Sequence, residues 1–191
     1  MRLDLNASEK DNLSLTFRYT EANNIEARTS NDFNARFLQG SEAFVSKNTN
    51  LSLNWTHQTS KLNNSLVVSL NTTRDDRDPL NDDNVRFPRV RIQDGAGRIE
   101  FGSEPFSTSN LLDQDVFTIT NNLELYKGKH TLTIGTHNEF YSSTNLFIRQ
   151  NYGDYFYNSP EGFLNNDPSE LDNMFRSYSL LSSSLGDDAI E

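Results

Sequence analysis

Five aspartates crowd one stretch of the chain and form its densest group of potential cation ligands. They are Asp75, Asp76, Asp78, Asp82 and Asp83. Clustered carboxylates are the oxygen ligands that Ca²⁺ prefers. The segment has neither the central glycine nor the closing glutamate of an EF-hand loop. We therefore interpret it first as a solvated acidic loop, keep its aspartates as weak metal candidates, and expect no cofactor.

A second candidate group contains histidine. His137 and Glu139 lie two residues apart in an alternating stretch, so their side chains share one face of a strand. Such a pair suits metal binding or acid–base catalysis. No nucleophile elbow, phosphate loop or zinc-binding helix accompanies it in the sequence. We expect a polar strand face here, and no enzyme activity.

Four aromatic side chains fall within six residues near the end of the chain: Tyr152, Tyr155, Phe156 and Tyr157. Aromatic side chains on loops often stack against sugars or peptides. Packing of one loop on another explains the same residues equally well. Ligand contact by these four side chains is our first hypothesis for a binding site.

The composition limits the class of protein that can position these groups. Only 34% of the 191 residues are hydrophobic, yet 11% are aromatic, which argues against a disordered chain. A net charge of -10 argues against a nucleic-acid partner. The absence of cysteine excludes disulfides and thiolate metal sites. Loop-rich secreted β proteins and membrane β-barrels both tolerate so few apolar residues.

Apolar and polar residues alternate in three pairs of strands. The predicted spanning hairpins cover about 1–20, 49–74 and 115–141. Their short turns lie at Glu9–Asp11, Lys61–Asn64 and Lys127–Lys129. Because side chains alternate with period two, the residue count of each turn decides whether two apolar rows share a face. All three turns satisfy that parity.

Long polar stretches separate the hairpins, at about 21–48, 75–114 and 145–175. Short turns at one end and long loops at the other are typical of membrane barrels. The sequence therefore predicts an all-β antiparallel meander of about six spanning strands, part of a large transmembrane β-barrel with short periplasmic turns and long extracellular loops. The expected aromatic belt residues are Tyr19, Trp55, Phe117 and Phe140. The expected helical structure is one turn after Pro168, capped by Ser169.

Several motifs in the second half of the chain carry a family resemblance. They are Arg86-Phe87-Pro88-Arg89-Val90-Arg91-Ile92-Gln93-Asp94-Gly95, Phe101-Gly102-Ser103-Glu104-Pro105-Phe106-Ser107, Gly135-Thr136-His137-Asn138-Glu139-Phe140-Tyr141 and Asn145-Leu146-Phe147-Ile148-Arg149-Gln150-Asn151-Tyr152-Gly153. This region resembles the barrel of TonB-dependent receptors of the Oar-like type, which are relatives of the SusC-like nutrient importers. Before residue 85 the resemblance rests on the strand pattern.

The resemblance implies a long parent chain with a signal peptide, a plug and a barrel of ~22 strands. We therefore expect residues 1–191 to be a partial barrel of a receptor that takes up an unidentified ligand across the bacterial outer membrane. The implied partners are outer-membrane lipid, the remaining barrel strands and plug of the parent chain, and TonB through that plug.

Two other classes explain part of the same pattern. One is a soluble or surface-attached all-β module that binds a glycan or peptide, and the weaker one is a small-barrel enzyme. A soluble module would cover its apolar rows with a second sheet, whereas a barrel wall would leave them open to lipid. The rows that decide between them contain Leu13, Leu15, Phe17, Leu51, Leu53, Phe117 and Ile119.

Overall fold

The computed structural model describes residues 1–80 and 87–175, and these residues are dominated by β-structure. The strands are β1 (Arg2–Asn6), β2 (Asp11–Glu26), β3 (Asn34–Arg36), β4 (Glu42–Gln58), β5 (Leu62–Pro79), β6 (Arg89–Asp94), β7 (Gly97–Phe101), β8 (Asn110–Lys127), β9 (His130–Phe147), β10 (Asp154–Tyr157) and β11 (Leu171–Phe175). One short helix, α1, covers Pro160–Leu164, and 3-10 turns cover Leu38–Gly40 and Pro168–Glu170. No helix in this described part has the length and hydropathy needed to cross a bilayer.

The described residues form two sheets. A six-stranded sheet has the order β1-β2-β4-β5-β8-β9, and a five-stranded sheet has the order β11-β10-β6-β7-β3. By contacts the chain divides into two compact units. The first contains 1–22, 46–75 and 112–144, and the second contains 23–45, 76–111 and 145–191. The all-β antiparallel meander predicted from the sequence is confirmed for the six-stranded sheet.

Register confirms the parity argument in the first hairpin. Leu3 pairs with Leu15 and Leu5 pairs with Leu13, so the odd-numbered apolar residues of both strands share one face. The Ser8 hydroxyl closes the turn by accepting hydrogen bonds from the backbone N–H groups of Lys10 and Asp11, each at 3.1 Å. Side chains of serine at such positions stabilise turns by replacing a backbone partner.

The hairpin between β4 and β5 turns slightly earlier than predicted. The Thr59 backbone N–H donates to the Leu62 carbonyl at 2.8 Å, so the turn covers residues 59–61 and overlaps the predicted Lys61–Asn64 segment only at Lys61. Thr73 Oγ1 donates to Asn48 Oδ1 at 2.9 Å farther along the same two strands. Even-numbered residues of β4 therefore oppose odd-numbered residues of β5, which aligns the two apolar rows.

The hairpin between β8 and β9 has a two-residue turn. Gly128 has a φ of +61°, the left-handed conformation that tight hairpin turns require and that glycine adopts readily. Across the ladder, Thr120 Oγ1 lies 2.7 Å from His137 Nδ1, while the rings of Phe117 and Phe140 are 6.1 Å apart. Polar residues and apolar residues thus occupy opposite faces of the same pair of strands.

The apolar rows of the first unit are open. Five of the deciding side chains are between 36% and 42% exposed: Leu15, Phe17, Leu51, Leu53 and Phe117. The buried apolar side chains of the described residues are Val90, Ile92 and Tyr157, and all three belong to the second unit. No second sheet covers the apolar rows within the described first unit.

The long strands exceed their predicted bounds. Strands β5, β8 and β9 each contain 18 residues and continue into segments that the sequence predicted as loops. Their ends carry cross-strand ion pairs in place of apolar residues, as where Arg74 of β5 contacts Asp115 of β8 at 2.7 Å. Apolar alternation cannot mark a strand that is polar on both faces, so sequence periodicity stops short of these ends.

The described parts of the predicted long loops contain the five strands of the second sheet. Its centre is the antiparallel β6–β7 hairpin, and β10 and β3 pair in parallel with β6 and β7 respectively. This mixed sheet is absent from the antiparallel prediction. The strands contain only three to six residues, too few for period-two alternation to stand out from turn residues.

One face of the five-stranded sheet forms a small apolar core. Val90, Ile92 and Tyr157 are buried there, with partly buried neighbours Ile99, Phe101, Tyr155, Phe163 and Leu171. Helix α1 places Phe163 edge-on to Tyr157, with ring centres 5.4 Å apart.

Capping differs from the predicted helical turn. The Ser159 hydroxyl accepts from the Gly162 N–H and caps α1. The 3-10 turn at Pro168–Glu170 is capped by the Asp167 carboxylate, which accepts from the Ser169 N–H, so the prediction of Ser169 as the cap is wrong. Residues 171–175 form β11 instead of helix.

We predict that Gly102→Ala strongly destabilises the five-stranded sheet. Gly102 has a φ of +95°, and a Cβ there would lie 1.9 Å from the Pro88 carbonyl oxygen. We expect a loss of more than about 3 kcal/mol, since strain and overlap add. The destabilisation is measured by hydrogen exchange, as a loss of protection at the backbone amides of β6 and β7.

Gly95→Ala is the matched control. Gly95 also has a positive φ, +57°, but no atom lies within 4 Å of its added Cβ. Its expected cost is therefore only the left-handed strain of about 1–2 kcal/mol. Equal losses in the two variants would contradict the close contact at Gly102.

Candidate functional site

The face of the five-stranded sheet opposite the apolar core is lined by charged residues. In β6 the apolar residues Val90 and Ile92 are buried in the core, whereas Arg89 and Arg91 alternate with them. Six arginines and four carboxylates in the second unit are linked by ion pairs, shared carboxylates and a shared aromatic ring. We call this group the arginine network; it consists of Arg28, Arg36, Arg77, Arg89, Arg91, Arg98, Glu42, Glu100, Glu104 and Asp154.

Asp154 is the most enclosed acid of the network, with 1% of its side chain exposed. It pairs with Arg89, and its two oxygens accept from Arg91 Nε and Nη2, each at 3.1 Å. Gln150 Nε2 donates to it at 2.7 Å. Burial by itself would raise the pKa of Asp154, but hydrogen bonding and charge from Arg89, then the charge of Arg91, outweigh burial and lower that pKa.

Glu100 joins three arginines from different parts of the chain. Its carboxylate lies 3.4 Å from Arg28, 3.5 Å from Arg89 and 3.7 Å from Arg36. The pairing of Arg36 with Glu100 follows from the parallel register of β3 and β7. One buried acid therefore holds β3, β6 and the segment around Arg28 against β7.

Glu42 and Glu104 extend the network beyond the sheet. Arg77 contacts Glu42 at 2.9 Å, and Arg28 contacts Glu104 at 3.0 Å. The Ser107 hydroxyl lies between the two acids and is in hydrogen-bond contact with both. A cavity of about 250 Å³ opens beside them, lined by five charged residues and one aromatic residue: Glu26, Arg28, Glu42, Arg77, Glu104 and Phe106.

Two guanidinium groups of the network lie over the ring of Phe156. The Cζ atoms of Arg91 and Arg98 lie 5.2 Å and 5.1 Å from the centre of its ring. Both distances are within the ~6 Å range of a cation–π interaction. Arg91 also pairs with Asp154, but Arg98 has no carboxylate partner among the described residues.

The four aromatic residues of the predicted ligand site are divided by the fold. Tyr157 is 8% exposed and belongs to the apolar core, which Tyr155 also contacts. Phe156 points to the charged face and contacts arginines, and Tyr152 is half-buried in the loop before β10. The structure therefore assigns packing to Tyr157 and Tyr155, and brings Phe156 alone into the charged group.

The predicted metal candidates do not converge where they are described. Asp75, Asp76 and Asp78 lie in β5, and Asp82 and Asp83 fall outside the described residues. Among the side chains of residues 1–80 and 87–171, no three of His, Asp or Glu are arranged to hold a metal ion.

The histidines lie in the first unit. His137 Nε2 is 3.4 Å from Glu139, and both side chains are more than half exposed on the polar face of β9. His57 Nδ1 is 2.7 Å from Asp11, which also accepts from Trp55 Nε1 at 3.2 Å. Glu124, on the polar row of β8, accepts from Tyr126 and Asn63. The contacts of Asp11 and of Asn63 join neighbouring strands of the six-stranded sheet, whereas the His137–Glu139 and Tyr126–Glu124 contacts lie within one strand.

The arginine network was missed by sequence reasoning. Its signal is visible in Arg89-Val90-Arg91-Ile92, where arginine alternates with β-branched residues and predicts a strand with one apolar and one cationic face. The acids that meet these arginines lie up to 76 residues away along the chain. Nothing local specifies such pairings.

We predict that Asp154→Asn destabilises the second unit by about 3–5 kcal/mol, because Arg89 and Arg91 would lose a buried counter-charge. Since the folded pKa of Asp154 is below its ordinary value of 3.8, its contribution is complete above pH 3.8 and is lost as the pH falls through the folded pKa. The stability difference between wild type and variant should therefore shrink in acid. Hydrogen exchange at β6 and β10, followed from pH 6 downward, measures it.

Asp94→Asn provides the control, since Asp94 is an exposed acid at the β6–β7 turn. Its substitution should change stability by less than about 0.5 kcal/mol. A cost at Asp154 that matches the cost at Asp94 would show that the buried pairing contributes little.

Comparison with known proteins agrees with the fold. Residues 1–186 match the model of the family described as outer membrane beta barrel domain. The outer membrane transporter YddB from Escherichia coli is structurally similar, with a TM-score of 0.57 and 17% sequence identity. The match covers 82% of this chain and 20% of the transporter, so the chain spans about one fifth of that protein's length. No curated protein matches the sequence.

The family match extends over almost the whole chain, and the alternating strands, open apolar rows and six-stranded meander are those of a barrel wall. Such walls lie in the bacterial outer membrane, which confirms the predicted location. The chain belongs to the outer membrane beta barrel domain family.

Proposed function

We propose that the chain is part of the barrel wall of a TonB-dependent receptor of the Oar-like and SusC-like type, which takes up a ligand across the outer membrane. The observation that carries the proposal is the open apolar row of the first unit. Leu53 and Phe117 are 41% and 37% exposed. Apolar surface in contact with water costs free energy, and contact with lipid acyl chains removes that cost.

The other face of the same strands has the chemistry of an aqueous lumen. His137, Glu139 and Glu124 lie on polar rows, and their partners are other polar side chains. In a closed barrel the face opposite the lipid is the interior, so these groups would line the transport path. We assign them to lining rather than to catalysis, because each has neighbours that explain it without a substrate.

The structural similarity to a transporter supports transport as the activity. TonB dependence and the SusC-like type rest on the resemblance of motifs in this chain to those receptors, notably Arg86–Gly95 and Gly135–Tyr141. In this proposal the partners are outer-membrane lipid, the remaining strands and plug of the parent chain, and TonB acting through the plug.

Single-cysteine labelling tests which face meets lipid. The chain has no cysteine, so each introduced thiol is unique within it. We expect a fluorophore on Phe117→Cys or Leu53→Cys, in the protein encoded by the complete reading frame and reconstituted in vesicles, to be quenched by nitroxide-labelled lipid chains. Fluorophores on the adjacent residues, through Thr118→Cys or Ser52→Cys, should instead be quenched by aqueous iodide, since neighbours face opposite sides.

A soluble glycan- or peptide-binding module is the rival class. It predicts that no labelled position responds to nitroxide lipids. Equal quenching of residues 117 and 118 by the two agents would also reject the barrel-wall orientation.

Coupling to TonB needs its own test. We expect the protein encoded by the complete reading frame to co-purify with the periplasmic domain of TonB, and a variant lacking the TonB-contacting segment to lose this interaction. The variant serves as the control for non-specific capture. If residue 117 is exposed to lipid but the protein does not bind TonB, the barrel-wall proposal stands and the proposal of TonB dependence is rejected.

A further inference from the structure

We propose that the charged face of the five-stranded sheet binds a small, multiply charged oxyanion, a phosphate or a polycarboxylate, at Arg91, Arg98 and Phe156. The proposal goes beyond uptake, since such binding does not require that the protein transport anything. It rests on the charge balance of the arginine network and on the geometry around one aromatic ring.

The network contains more guanidinium groups than carboxylates. Six arginines are joined to four acids through the contacts of the described residues. Guanidinium groups remain protonated, so the excess cannot be removed by titration. Charge that is partly removed from water needs a counter-charge, and the four acids leave the network with a net charge of +2.

The excess positive charge of the network is clearest at Arg98. Its side chain is half-buried, its Nε is buried without an acceptor, and no carboxylate of the described residues pairs with it. All five other arginines of the network contact at least one acid. Arg98 is therefore a partly desolvated cation whose Nε–H donor has no acceptor.

Arg91 stands next to Arg98 on the same face. Arg98 pairs with Gln93 across the β6–β7 hairpin, so Arg91 is its diagonal neighbour, two residues along β6. Phe156 holds both guanidinium groups within 5.2 Å of its ring centre. Arg91 and Arg89 share the carboxylate of Asp154, so its single negative charge does not fully neutralise Arg91. Two like charges are thus held close together by an apolar ring.

This arrangement selects the class of ligand. Guanidinium groups present paired N–H donors that match the oxygens of carboxylate and phosphate groups. Two of them fixed by stacking on one ring lose little freedom when an oxyanion binds, which favours affinity. An anion bridging Arg91 and Arg98 would relieve their mutual repulsion and supply the acceptors that Arg98 lacks.

Titration calorimetry on the detergent-purified protein, encoded by the complete reading frame, tests the proposal with inorganic phosphate and with citrate as separate probes. We expect at least one probe to bind wild type, and Arg98→Gln to weaken that binding at least tenfold. Arg98→Gln breaks no ion pair of the described residues but removes the cation–π contact with Phe156, so hydrogen exchange of β7 is measured alongside and should show that the sheet is retained. Arg18→Gln, which makes the same change in charge on β2, should bind as wild type does.

Binding of phosphate alone, or of citrate alone, supports the site and identifies its preferred oxyanion. An intermediate affinity for Arg98→Lys supports recognition by the planar guanidinium as well as by charge. Failure of both probes to bind wild type overturns the proposal, as does an equal affinity in Arg98→Gln and Arg18→Gln. None of these results depends on lipid exposure or TonB coupling, so they are separate from the tests of uptake.

Discussion

Backbone hydrogen bonding without water is the constraint on which this architecture depends. In hydrocarbon an unpaired N–H or C=O group has no solvent to replace its partner, so strands cross a membrane only when neighbouring strands pair with them. The order β1-β2-β4-β5-β8-β9 provides that pairing for each interior strand of the sheet. Once the ladder is fixed, side chains can only alternate, and an apolar face then necessarily has a polar face behind it.

The second unit is held together by different forces. The buried apolar side chains among its described residues are Val90, Ile92 and Tyr157, and charged contacts join segments that are far apart in the chain. Buried ion pairs add little net stability, because desolvation offsets much of their attraction. They do make incorrect pairings between strands costly, since a misplaced arginine would leave a buried acid such as Glu100 without its counter-charge. We infer that the arginine network chiefly specifies which short strands meet.

The sequence was most informative where one face is apolar. Alternation and turn parity led to the three hairpins, and the pairing of Leu3 with Leu15 confirms that logic. It was least informative where strands are short or polar on both faces, as in β3 and the outer parts of β5 and β8. The aromatic run illustrates the limit, because sequence alone could not separate Tyr157, which packs in the core, from Phe156, which contacts arginines. Both are aromatic residues of one strand, and only the register of β10 with β6 distinguishes their surroundings.

The length of the long strands has a consequence for the environment that a solute meets. Eighteen residues at ~3.3 Å each give a strand of roughly 60 Å. With a barrel tilt of about 40°, such a strand rises about 45 Å, whereas the hydrocarbon layer is only ~30 Å thick. The hydrogen-bonded strands of the barrel wall thus extend beyond the acyl chains to the level of the lipid head groups. In a closed barrel, a solute would be shielded from the charged membrane surface by protein before it descended to the level of the lipid tails.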